Sequence, residues 1–95
     1  MSIESVDNNA AASRFEISSD GEVVGYLDYR THGNTIDLTH AHTEPAMRGQ
    51  GLAGQLVQGA LDVIKVEKMH VIATCPYVAS WIEDHPEYQD LLDPH

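Results

Sequence analysis

The stretch TIDLTHAHTEPAMRGQGLAGQLVQGALDVIKVEKMHVIAT, residues 35–74, changes its period twice. From Thr35 to His42 the side chains alternate, which puts Ile36, Leu38, His40 and His42 on one face of a strand and Asp37, Thr39 and Ala41 on the other. After Pro45 the period lengthens. From Leu52 to about Glu67, Leu52, Ala53, Leu56, Val57, Ala60, Leu61, Val63 and Ile64 fill a broad stripe, while Gln55, Gln58, Asp62 and Lys65 fall opposite, as in an amphipathic helix. Met69 to Thr74 is a short, largely apolar run, suited to a strand buried on both faces inside a sheet.

Toward the N-terminus, Phe15-Glu16-Ile17-Ser18 alternates, Ser19-Asp20-Gly21 supplies a turn, and Glu22 to Arg30 resumes with β-branched and aromatic residues. His32-Gly33-Asn34 punctuates again, so three antiparallel strands are predicted before the helix. Residues 1–13, MSIESVDNNAAAS, are polar and small without sustained periodicity and read as a flexible leader, leaving 14–95 as a single domain. Toward the C-terminus, Pro76 suits the first turn of a helix, and Tyr77, Val78, Trp81 and Ile82 give that helix an apolar side. Asp84-His85-Pro86 ends it, and a last helical segment from Pro86 to Leu92 docks Tyr88, Leu91 and Leu92. The five acidic residues from Glu83 to Asp93 read as a solvated face, with a cation-attracting rim as the functional alternative.

Composition narrows the function classes. Ninety-five residues support one core, and 15 Asp+Glu against 5 Lys+Arg leave a formal charge of −10. The five basic residues are scattered singly, so no patch exists to neutralise a row of phosphates, and nucleic acid is excluded as a partner. The apolar runs fall short of the ~18 residues of a membrane helix, and the N-terminus lacks an export pattern, so a cytoplasmic location is expected. The single cysteine, Cys75, excludes an internal disulfide. The far field of such a chain favours a small-molecule amine or a basic peptide as partner, in a monomer or weak homodimer.

The chemistry gathers in Arg48-Gly49-Gln50-Gly51-Leu52-Ala53, between the third predicted strand and the long helix. Glycines let an anion approach the backbone, the first N–H groups of a helix have no partner within it, and Arg48 adds a forked donor. The turn is neither a dinucleotide fingerprint nor a P-loop, since the third glycine and a Gly-Lys-Ser/Thr are both missing. A pyrophosphate cradle and a glycine-rich turn that merely redirects the chain both fit the spacing.

Arg-x-x-Gly-x-Ala at Arg48, Gly51 and Ala53, opening a helix after a strand, resembles the coenzyme A pyrophosphate turn of the GNAT superfamily of acetyl-CoA-dependent N-acetyltransferases. His42-Thr43-Glu44 before it and Cys75 to Leu92 after it resemble a small, single-domain branch of that superfamily. The likeness implies a minimal α+β fold, with antiparallel strands, one parallel β-α-β crossover from Thr35–His42 to Met69–Thr74, and helices packing on the sheet. It also implies that acetyl-CoA is wedged where those two strands splay. Arg48, Gly49, Gln50, Gly51, Leu52, Ala53 and Gly54 would hold the cofactor, with the thioester near Cys75. The chain departs from the pattern in a short loop, Pro45-Ala46-Met47, and in lacking the helices and strands that build the usual acceptor pocket.

Acetyl transfer to an amine needs a base for the ammonium proton and an acid for the departing thiolate. His42 and Glu44, at the end of the splayed strand, are the candidate bases; paired sheet histidines and a solvent-facing turn residue are the structural alternatives. Cys75, before a Pro-started helix, is a candidate nucleophile or proton donor, or else a small buried core residue. Tyr77 is a further candidate acid, although packing under the sheet is the favoured reading for it. A metal site built on His40, His42 and Cys75 lacks further ligands, and a Cys-His hydrolase lacks an oxyanion turn. The expected activity is therefore transfer of an acetyl group to a cationic amine, with a non-catalytic coenzyme A or acyl-CoA binding module as the alternative and a domain that has lost the cofactor as the third.

Overall fold

The alternating segments pair into one sheet. A computed structural model describes residues 4–43 and 51–92, in the order β1 (Glu4–Asn9), a 3-10 turn (Ala10–Ala12), β2 (Arg14–Ser19), β3 (Glu22–His32), β4 (Thr35–Thr43), α1 (Leu52–Val66), β5 (His70–Ala73), α2 (Pro76–Glu83) and a 3-10 segment (Pro86–Leu91). The strands lie in sequence order, with β1 to β4 antiparallel and β4 to β5 parallel. This is the mixed α+β sheet with a single crossover through α1.

The residues expected as a flexible leader correct the sequence reading, because Glu4–Asn9 forms the edge strand β1, paired from Glu4↔Ser19 to Asn9↔Arg14. Periodicity missed it because Val6 is its single apolar residue and the next position on the same face is the polar, exposed Asn8. Asn8 is satisfied by the Tyr29 hydroxyl, which donates to its side-chain oxygen at 2.7 Å. Val6 packs on Gly59 of α1, where an added Cβ would come within 2.8 Å of it.

Among the described residues, the fully buried side chains gather on one side of the sheet. Phe15, Ile17, Leu27, Leu38 and Val71 meet Leu52, Leu56, Val57, Leu61 and Ile64 of α1 and Val78 and Ile82 of α2 in one core. Each such aliphatic side chain contributes roughly 1.5–3 kcal/mol relative to exposure, so this face holds the fold together. α1 ends where Lys68 turns left-handed (φ 58°) and the Met69 N–H donates back to the Ile64 carbonyl at 3.2 Å. The Tyr88 hydroxyl donates to Asp62 on α1 at 2.7 Å, which ties the last segment down and raises the tyrosine pKa, chiefly through that bond and then through burial. Leu92 forms a parallel bridge to Val71 at the outer edge of β5.

A β-bulge changes which face the β4 histidines occupy. Tyr29 pairs with Leu38 but Asp28 pairs with His40, so Thr39 has no opposite number, and its hydroxyl donates to the Asp28 carbonyl at 3.3 Å. An extra residue reverses the alternation beyond it. His40 and His42 therefore leave the face of Ile36 and Leu38 and join Tyr26 and Asp28 on the side away from the helices, while Ala41 turns to the core.

Candidate functional site

β4 is nine residues long and β5 is four, and this mismatch makes the site. The parallel ladder runs only from Thr35↔His70 to Leu38↔Ala73, and closes with the Cys75 N–H donating to the Leu38 carbonyl at 2.9 Å. Pro76, with no N–H to continue the ladder, starts α2, so the chain leaves the sheet while β4 continues from Thr39 to Thr43. The two strands therefore splay. A cavity of about 350 Å³ occupies the gap, lined by His40, Ala41, His42, Thr43, Ala53 and Tyr77.

The start of α1 borders this gap through Ala53. Gly51 is its N-cap at φ 74°, a conformation that costs other residues roughly 1–2 kcal/mol, and an added Cβ there would meet nothing within 4 Å. The first helical bond runs from the Gln55 N–H to the Gly51 carbonyl at 3.1 Å, so the N–H groups of Leu52, Ala53 and Gly54 have no acceptor inside the helix. No side chain caps the helix and no acidic residue stands in its first turn. The open space, the amides and the lack of negative charge suit a phosphate group. Gly54 also lets α2 approach, because its missing Cβ would sit 3.5 Å from the Trp81 indole nitrogen and 3.8 Å from the Tyr77 hydroxyl.

The other expected site residues are distributed unequally. His42 lines the cavity and stacks on Tyr26, with ring centroids 5.2 Å apart. Arg14 lies 4.7 Å over the same tyrosine ring and donates to Glu16 at 2.8 Å. Glu16 is held below its ordinary pKa by a hydrogen bond from Asn9 and then by Arg14. Cys75 does not line the cavity; it is 5% exposed and belongs to the core, which matches its packing alternative. Tyr77, read from the sequence as packing, is instead 44% exposed and forms part of the cavity wall. Glu44, Arg48, Gly49 and Gln50 lie outside the described residues. Among the described residues no group of three or more His, Cys, Asp or Glu could hold a metal ion, and no helix is long and apolar enough to cross a membrane.

Known proteins share this architecture. A solution structure of a GCN5-like protein from Staphylococcus aureus superposes with a TM-score of 0.70 at 21% identity, covering 96% of this chain and 92% of that one. The ribosomal-protein-S18-alanine N-acetyltransferase of Escherichia coli superposes at 0.62 with 14% identity, over 75% of this chain and 49% of the enzyme. In sequence, Protein NATD1 of Xenopus tropicalis is 32% identical over 62 residues, 63% of this chain and 57% of that protein. The human Protein NATD1 is 33% identical over 61 residues, 62% of this chain and 54% of its own. The chain thus spans little more than half the length of these curated relatives. A family model described as GCN5-related N-acetyl-transferase matches residues 14–91, from the start of β2 to the end of the last 3-10 segment. That match takes in the splayed strands, the helix between them and both walls of the cavity, and the chain belongs to the GCN5-related N-acetyltransferase family.

Proposed function

We propose that this protein binds acetyl-CoA across the start of α1 and the gap between β4 and β5, and passes the acetyl group to an amine. The observation that carries the reading is the 350 Å³ cavity between the free end of β4 and the start of α2, with the open N-terminus of α1 at its side. The amides of Leu52, Ala53 and Gly54 would hold the pyrophosphate, with Arg48, Gly49 and Gln50 completing the turn. Ala41, Thr43 and Ala53 would wall the pantetheine arm with little steric demand. Acetyl-CoA, when bound, supplies an activated thioester carbonyl and a thiolate leaving group.

His42 is the base of this reading. It takes one proton from the acceptor ammonium, which frees the nitrogen lone pair to form the C–N bond as the C–S bond breaks. Tyr77 protonates the departing sulfur and recovers the second proton that the nitrogen gives up, so His42 releases one proton to solvent per turnover. Glu44, one residue beyond β4, is the second base candidate. Cys75, buried in the core and not among the residues that line the cavity, is given no role in this reading.

Coenzyme A at millimolar concentration is expected to raise the melting temperature, since a ligand selective for the native state must stabilise it. Gly51→Asp is expected to abolish that shift by putting a carboxylate where the pyrophosphate would lie; equal affinity in the variant overturns the assignment. In single-turnover assays with an amine panel, His42→Gln and Tyr77→Phe are each expected to slow transfer roughly 100-fold, with cofactor affinity nearly unchanged. Tight coenzyme A binding without acetylated product across the panel would instead identify a binding module.

A further inference from the structure

The side of α2 that faces away from the splay has no part in the transfer reaction. Tyr77 turns to the cavity between the strands, and Ala79, roughly 200° further around the helix, turns away from it together with Ile82 and Glu83. Between that side of α2 and the last 3-10 segment lies a second cavity of about 350 Å³, lined by Ala79, Ile82, Glu83, Gln89 and Leu92. Ile82 is buried, Leu92 is 37% exposed, and the Gln89 side chain ties the segment to the helix by donating to the Ile82 carbonyl at 3.5 Å.

Charge gathers around the same groove. Beyond Lys68 the chain holds no lysine or arginine and five acidic residues. Four of these, Glu83, Asp84, Glu87 and Asp90, are exposed, and none makes a side-chain hydrogen bond or an ion pair among the described residues. Glu83 lines the cavity, Asp84 caps the end of α2, and Glu87 and Asp90 stand on the segment that forms the other wall. Lys65 of α1, 5.9 Å from the buried Tyr88 ring centre, has Asp62 three residues before it and does not offset them.

We propose that this groove is a docking site for a basic polypeptide segment with one apolar anchor. A leucine or phenylalanine side chain enters the cavity against Ala79, Ile82 and Leu92, and lysines or arginines on either side of it meet Glu83, Asp84, Glu87 and Asp90. The cavity has room for one such side chain, since about 150 Å³ already accepts benzene. The acidic residues continue past the cavity along the next segment, so the occupant is a chain rather than a small amine. A second copy of this protein, with the same acids and a net charge of −10, is repelled, as is an anionic membrane. The anchor supplies most of the affinity, while the charges speed the encounter and select the partner. The two cavities share no lining residue, so this docking stands whether or not coenzyme A binds.

The test is a titration of the ¹⁵N-labelled full chain with an end-blocked heptapeptide, Lys-Lys-Lys-Leu-Lys-Lys-Lys, beside versions with serine in place of leucine and glutamate in place of lysine. Shifts are expected at Ala79, Ile82, Glu83, Gln89 and Leu92, with affinity falling as salt is added. The serine peptide is expected to bind at least about ten-fold more weakly, and the glutamate peptide not at all. Glu83→Gln is expected to weaken the leucine peptide about two- to five-fold, the range for an exposed ion pair, in a chain whose spectrum is otherwise native. Equal binding of the leucine and serine peptides, undiminished affinity in Glu83→Gln, or shifts centred on His40, His42 and Tyr77 would each overturn the proposal. Coenzyme A added first is expected to leave peptide affinity unchanged, and competition between the two would move the peptide to the splay and defeat the assignment to this groove.

Discussion

Single residues decide several local conformations that composition does not reveal. Lys68 sits at φ 58° and closes α1, a position where glycine meets no steric penalty. Lys68→Gly is therefore expected to stabilise the protein by about 0.5–1 kcal/mol, read from the urea midpoint, and a loss of stability would show that the lysine side chain matters more than its backbone strain. Glu16 provides a pH test. Its folded pKa is lowered by Asn9 and Arg14, so its stabilising contribution is complete above the ordinary glutamate range and is lost as pH falls through the depressed value. Glu16→Gln is expected to flatten the acid limb of the stability profile without moving the limb above pH 7. Tyr88 has the opposite sign. Its raised pKa gives a contribution that is complete below about pH 10 and is lost as pH rises through the folded value. Tyr88→Phe is expected to remove that alkaline loss.

At the scale of elements, the edge strand and the bulge matter most. β1 is held to α1 through the absence of a side chain at Gly59, where a Cβ would lie 2.8 Å from Val6. Gly59→Ala is expected to cost about 1–3 kcal/mol by forcing β1 off the helix, and Val6→Ala in the same chain is expected to recover part of it. Additive losses in a double-mutant cycle would show that the two residues do not bear on each other. Gly25 has the same role between strands, since its Cβ would meet the His42 carbonyl oxygen at 2.9 Å and Ile17 at 3.1 Å. The bulge at Thr39 turns His40 and His42 to the side away from the helices. Removing Thr39 places His40 directly after Leu38, so plain alternation is expected with both histidines still on that side and Ala41 still in the core, and the protein is expected to keep its fold; collapse of the fold would show that the extra residue is needed for more than the register.

For the molecule as a whole, a charge of −10 on one small domain makes self-repulsion a significant opposing term. Raising sodium chloride from 20 to about 200 mM is expected to increase the melting temperature, because screening at that strength shortens the Debye length to below ~10 Å. A fall with salt would mean that attractive pairs outweigh the repulsion. Much of the architecture was legible in the residues alone. Alternation marked β2, β3 and β4, the stripe from Leu52 to Ile64 marked α1, and Pro76 marked the start of α2, because burial on one face imposes a period that local sequence must carry. The left-handed start of α1 at Gly51 was legible for the same kind of reason, since backbone conformation at a glycine is a local property. Three features were decided only by the tertiary structure. β1 carries too little apolar patterning to announce itself, and it exists because β2 offers a free edge and α1 leaves room at Gly59. The faces of His40 and His42 depend on one unmatched residue, which shows only when β3 and β4 are in register. Cys75 and Tyr77 differ in exposure because α2 leaves the sheet while β4 continues, a difference in strand length between segments far apart in the chain that no local pattern encodes.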